Sequence, residues 1–268
     1  MQERIKNRKG YYGVKLHQIL SFSSIFQKAA TFGGEWGFFP GCSMMGYSPE
    51  LILRVYRWLK KADPSIGLVS GCCGHPTLAL DDMARFEAYQ RKVGGEMRRA
   101  GLKKLIVCCP NCEETLRNIK WLTVRSIWSM LDEANFTVDA SGDAKYVLHD
   151  PCPTRRDPDT QEAFRRVIKR CSVNWEEYPS SHDKALCCGK IKMLMVLDPE
   201  TGHKVLERRI SESDNNNVLT YCFSCADSFR GAGCNAVHGL ELLFPGNINA
   251  RSTWKNRYES AKSVERFI

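Results

Sequence analysis

Three kinds of cysteine stand in this chain in the same order twice. A single cysteine closes GFFPGC at Cys42 and KYVLHDPC at Cys152. A vicinal pair followed by glycine stands at Cys72, Cys73 and Gly74, and again at Cys187, Cys188 and Gly189. A Cys-x-x-Cys then closes KLIVCCPNC at Cys109 and Cys112, and VLTYCFSC at Cys222 and Cys225. Matching points are offset by 110, 115 and 113 residues, the mark of an internal repeat. In the first copy 29 and then 35 residues separate the three groups; in the second 34 and then 33. A tetrahedral zinc site takes four ligands, and zinc ribbons pair two Cys-x-x-Cys knuckles rather than one knuckle with a vicinal pair. Adjacent cysteines on an extended strand diverge, so a vicinal pair serves one centre only from a sharp turn, for which the following glycine supplies backbone freedom. Five soft thiolates per copy suit iron–sulfur clusters, whose several irons offer more than four attachment points. A zinc-binding module stays open as an alternative, as does a thioredoxin-type dithiol at CPNC with Cys109 activated at a helix N-terminus. The second copy, CFSC, lacks that proline.

The elements that must position these thiols are legible around them. The apolar runs before the cysteine groups read as strands. Between them lie helical patterns: SPELILRVYRWLKKA with Ser48 as N-cap and Pro49 next, LDDMARFEAYQRKVGGEMRRAG ending at Gly101, DTQEAFRRVIKRC and ETGHKVLERRISESD. Strand alternating with helix implies an α/β fold of two pseudo-repeated lobes, each a small, mostly parallel sheet flanked by helices. Ligands in such sheets collect beyond the C-terminal strand ends, where the cysteine groups are expected. The boundaries read as an N-terminal extension over 1–36, a first lobe over 37–143, a second over 144–246 and a basic tail over 247–268.

Composition narrows the setting. Thirteen cysteines are an odd number in a chain of 268 residues, too long for a small disulfide scaffold. The first thirty residues lack an unbroken apolar run, so a reducing, cytoplasmic location is expected. No stretch reaches the roughly 18 to 20 apolar residues of a membrane span, which leaves peripheral association through a partner. The net charge is +9 (39 Lys and Arg against 30 Asp and Glu) and favours an acidic partner; the basic residues are spread along the chain, which speaks against nucleic acid. There is no GxGxxG, no P-loop and no ferredoxin-like run of cysteines, so electrons must come from elsewhere.

The duplicated pattern resembles the cysteine-rich CCG domain family, and two copies on one chain are similar to the subunit of heterodisulfide reductase that carries two CCG domains. The resemblance implies two noncubane [4Fe-4S] clusters, one on Cys42, Cys72, Cys73, Cys109 and Cys112, the other on Cys152, Cys187, Cys188, Cys222 and Cys225. It implies an oxidoreductase subunit that reduces or forms a small disulfide between two such clusters. It also implies a ferredoxin-like iron–sulfur partner, with a flavoprotein beyond it. The alternative within the family is a non-catalytic electron-transfer subunit of a dehydrogenase or quinone-linked complex. The chain departs from the family at Pro153, where a histidine is common, and at Lys190, Ile191 and Lys192, where glycines are common.

His75, His149 and His238 lie close to the cysteine loops as candidates to donate a proton to a leaving thiolate or to hydrogen-bond a cluster sulfur. Arg155, Arg156, Lys190 and Lys192 read either as an anion-binding set or as a solvated loop. Cys108, Cys171 and Cys234 read as buried thiols outside the pattern. Before the repeat, Leu16, Ile19, Leu20, Ser23 and Phe26 fall at helical spacing, a stripe expected to pack on its own domain or on another subunit.

Overall fold

The computed structural model describes residues 5–246 and 253–265. In chain order its elements are α1 (Arg8–Ser21), β1 (Lys28–Ala30), β2 (Trp36–Phe39), α2 (Gly41–Tyr47), α3 (Pro49–Ala62), β3 (Gly67–Ser70), α4 (His75–Ala79), α5 (Met83–Arg99), β4 (Lys104–Val107), α6 (Pro110–Leu116) and β5 (Thr123–Ser126). There follow α7 (Ile127–Glu133), β6 (Tyr146–His149), α8 (Pro158–Arg170), β7 (Trp175–Glu177), α9 (Leu194–Leu197), α10 (Pro199–Ile210), β8 (Asn217–Thr220), α11 (Phe223–Gly231), β9 (Asn235–His238), α12 (Gly239–Leu243) and α13 (Trp254–Glu265).

The chain folds as two compact units. One comprises Tyr12–Ser126 with the described residues of Gly246–Ile268, the other Ile127–Pro245 with the described residues of Met1–Tyr11. The first holds a five-stranded sheet in the order β1-β3-β2-β4-β5, parallel except for β1, which runs antiparallel to β3. The second holds a wholly parallel sheet in the order β7-β6-β8-β9. Without β1 the two orders correspond strand for strand. The expected α/β class of two lobes with parallel cores is the observed one.

Local chemistry accounts for the helices. Ser48 Oγ accepts from Leu51 N and Pro49 opens α3, whose Leu51, Ile52, Val55, Tyr56 and Leu59 are buried. Asp82 caps α5, and Gly101, at φ +72°, lets the chain reverse into β4. In the second unit the same Asp-Pro pair opens two helices, Asp157 capping α8 and Asp198 capping α10.

Two expectations meet a different arrangement. DKALCC is not a strand: β7 ends at Glu177, and the chain reaches Cys187 through a short 3-10 turn over His182–Lys184, because Ala185 and Leu186 alone make too short an apolar run. The apolar stripe of α1 faces outward, with Leu16, Ile19 and Leu20 exposed, while Val14, Gln18 and Ser21 are buried. Gln18 wins the inner face because polar groups of the first site wait there; Ser23 and Phe26 lie beyond the helix end. Within the basic tail, α13 packs on α2: Asn256 Nδ2 donates to the carbonyls of Gly46 (2.9 Å) and Tyr47 (3.2 Å), and Ser260 Oγ to that of Met45 (3.0 Å). Residues 247–252 and 266–268 of that tail, and 1–4 of the N-terminal extension, lie outside the described residues.

Candidate metal centres

In the first unit the thiols gather at the C-terminal ends of β2, β3 and β4. Cys42 stands in the first turn of α2 after Gly41, whose φ of +77° suits glycine. A Cβ on Gly41 would stand 2.8 Å from Cys112 Sγ, so the backbone there makes room for sulfur. After β3 the chain turns through Gly71, Cys72, Cys73 and Gly74, with Gly71 at φ +133° and Gly74 at φ +87°. Cys109 is the N-cap of α6 and Cys112 lies in its first turn, which places both thiols on one helix end. The sulfurs form one hydrogen-bonded row, Cys42 to Cys72 to Cys73 to Cys112 to Cys109. Cys42 is half-buried and the other four are buried. Contact with Cys112 and then Cys72 pulls the Cys73 thiol down to about 6 against its burial, while Cys42 and Cys112 are pushed well up.

The second unit repeats the construction. Cys152 opens a one-turn 3-10 segment after β6, Gly189 follows the vicinal pair at φ +83°, and Cys222 is the N-cap of α11 with Cys225 in its first turn. The row runs Cys152, Cys187, Cys188, Cys225, Cys222, with 3.1 Å between the sulfurs of Cys188 and Cys225. Hydrogen bonds from Cys152 and then Cys188 pull Cys187 down to about 2, helped by the backbone N–H groups of Ile191 and Gly189.

The three histidines take different places. His238 closes β9, accepts from Leu240 N on Nδ1 as the cap of α12, and stacks on Phe223 with ring centroids 3.6 Å apart. His75 opens α4 and its Nδ1 lies 3.3 Å from Thr115 Oγ1, with burial lowering its pKa. His149 closes β6 beside Cys188 and Cys225, and burial pushes it down to about 3. Of the basic set, Arg155 is engaged by the Ala185 carbonyl and Lys190 by Asp227, while Arg156 and Lys192 are exposed. Cys108, Cys171 and Cys234 are buried and stand outside both rows.

Several residues at the sites carry no signal in the repeat. Gln18 Nε2 donates to Cys72 Sγ at 3.5 Å. Arg257, hydrogen-bonded to His17, lines a shallow pocket with Cys42, Met45, Phe26, Gly71 and Ser21. Both lie on helices outside the duplicated pattern, where no spacing could announce them. In the second unit Asp150, beside His149, accepts from Arg165 and from Tyr221 Oη (2.7 Å).

The profile described as a cysteine-rich domain, CCG, matches residues 36–117 and again 146–230. The chain belongs to the CCG cysteine-rich domain family. With its clustered cysteines, this CCG chain is an iron–sulfur or metal-binding protein, of a family typical of the iron–sulfur subunits of oxidoreductases. Five sulfurs gather at the strand ends of each unit, and in the first a Cβ on Gly41 would push against one of them, which fits a metal group held by these thiols. No curated protein has a matching sequence. Among solved structures, an aspartate racemase homologue from Pyrococcus horikoshii OT3 is 11% identical over 87% of this chain and 97% of its own, at a TM-score of 0.33. The aspartate racemase of Picrophilus torridus is 13% identical over 85% and 100%, at 0.34. At these scores the likeness carries no argument. Among the described residues no helix is long and apolar enough to cross a membrane.

Proposed function

We propose that this CCG protein is the disulfide-handling subunit of an iron–sulfur oxidoreductase, resembling the subunit of heterodisulfide reductase that carries two CCG domains, with one noncubane [4Fe-4S] cluster in each unit. The observation that carries the reading is the five-thiol row formed twice in the same order, with one thiol of each row, Cys42 and Cys152, half-buried and the rest shielded. When bound, the clusters supply one-electron redox chemistry at sulfur. The chain's own part is to hold them. The Cys-Cys-Gly turns aim paired thiolates at one point, the helix ends present the closing pair, and the surrounding core keeps water away. The overall change is R–S–S–R′ + 2 e⁻ + 2 H⁺ → R–SH + R′–SH, with the electrons supplied by a low-potential iron–sulfur partner. Burial lowers the pKa of His75, His149 and His238, and the two protons are drawn from solvent.

The test is anaerobic purification with iron, sulfide and zinc counts, followed by EPR with added small disulfides. About eight irons and eight sulfides per chain, and an EPR signal altered by a disulfide, are expected. Zinc without sulfide would defeat the reading. Clusters that accept electrons from carriers yet ignore every disulfide would make the chain an electron-transfer subunit instead.

A further inference from the structure

His149 is fully buried at the end of β6. Its Nδ1 accepts a hydrogen bond from Arg209 Nε at 3.1 Å, and a guanidinium can only donate. Nδ1 therefore carries no proton, and the imidazole proton sits on Nε2. Nε2 is buried and has no hydrogen-bond partner among the described residues, a costly position for a donor. One ring nitrogen of His149 lies within 4.8 Å of both Cys188 Sγ and Cys225 Sγ, which places the imidazole beside the second row.

Arg209 is itself held firmly. It is fully buried, its Nη1 donates to the Ser180 carbonyl at 2.7 Å and to Glu212, and its guanidinium lies 3.7 Å over the Tyr178 ring. In the first unit the matching position, also three residues before the first cysteine and last in its strand, is Phe39. Phe39 packs in one core with Cys72, Cys73, Cys109 and Cys112, and offers them only C–H.

We propose that Arg209 fixes His149 as an Nε2–H donor to the sulfurs of the second centre, and that this donor raises the reduction potential of that centre, at a position where the first centre has only Phe39. The inference rests on the iron–sulfur reading above. A hydrogen bond to cluster sulfur stabilises the more negative, reduced state, so the centre that receives it is easier to reduce. His149 touches the centre; Arg209 acts through it as a positioning residue.

The experiment is an EPR-monitored redox titration of the full chain with its clusters in place. His149→Phe is expected to shift the midpoint potential of one centre down by about tenfold in the reduction equilibrium, about 59 mV for one electron, and to leave the other centre in place. His149→Gln, which keeps an N–H donor, is expected to recover most of that shift. Should the phenylalanine variant fail to load, ENDOR of the ¹⁵N-histidine-labelled wild type in H₂O and D₂O reads a histidine-borne exchangeable proton at one centre only. Potentials unmoved in His149→Phe, or a loaded wild type with no such proton, would overturn the proposal. A chain that takes up no iron and sulfide overturns the cluster reading first, before any variant is compared.

Discussion

The two units carry the same row of five thiols on the same strand order, and the residues standing one step behind the rows differ in kind. Phe39, Pro40 and Cys108 back the first row; the matching positions in the second are His149, Asp150 and Tyr221. Asp150, fully buried, accepts from Tyr221 Oη, from both terminal nitrogens of Arg165 and from His182 N, and Arg165 also pairs with Glu177. Cys108 has only burial acting on it apart from the charge of Cys109, and is pushed well up. Assembling the row therefore takes strand ends, a glycine turn and a helix N-terminus, which both units have. The polarity behind the row is set separately, apolar in one and charged in the other, and that is where the two centres acquire different chemistry.

The contrast is broken most severely at Arg165. Arg165→Met leaves Asp150 as a buried carboxylate without its cation, which costs about 3–5 kcal/mol. Cys108→Val, a change of similar volume in the apolar counterpart, is expected to cost less than about 1.5 kcal/mol. Denaturant unfolding of the two variants against the parent compares them directly. Equal losses would mean that the polar network behind the second row is not what holds it.

A second pair of substitutions turns the comparison round. Gly41 and Pro151 both stand immediately before the first cysteine of their row, the glycine at φ +77° and the proline at φ −66°. Gly41→Ala adds strain of about 1–2 kcal/mol and pushes a methyl group against Cys112 Sγ, so about half of the bound iron should be lost, all of it from the first unit. Pro151→Ala keeps an ordinary backbone angle and should cost under about 1 kcal/mol with iron retained. Iron analysis of both proteins decides it, and full iron in Gly41→Ala would remove Gly41 from the account of the first site.

Much of this is readable in the residues, and the unreadable part has a physical cause. The repeat of cysteine groups announces the rows, because vicinal and Cys-x-x-Cys spacings are local and survive without knowledge of the fold. Ser48-Pro49 and the Asp-Pro starts of α8 and α10 are local signals too. DKALCC reads as a strand because two apolar residues before a cysteine pair look like the end of one, whereas pairing with β6 falls to WEE instead. The outward stripe of α1 shows the same limit from the other side. Periodicity says that one face is apolar, and it takes the site's need for Gln18 to decide that this face turns away. Arg209 and Arg257 reach their sites across the chain, by contacts that no spacing encodes.

Acid provides the gentlest test of the contrast. In the second unit Asp150 and Asp132 are lowered despite burial, which acts against it, by Arg165 in the one case and by Arg166 and Arg170 in the other. A carboxyl whose folded pKa lies below its ordinary value of about 3.9 contributes stability above that value and loses it as pH falls through the folded pKa. In the first unit Glu35 and Asp63 are lowered as well but stand at the surface, where such pairs count for little, and burial raises Glu96, so protonating it favours that unit. As pH drops from 7 to about 3, amide exchange, corrected for its intrinsic pH dependence, should rise in β6 and α8 before it rises in β2 and α3. Asp132→Asn should cost under about 1 kcal/mol at pH 7, and the difference from the parent should close as the parent's Asp132 protonates. If the first unit opened first, or if the Asp132→Asn cost persisted unchanged at low pH, the second unit would not owe its acid sensitivity to these paired carboxylates.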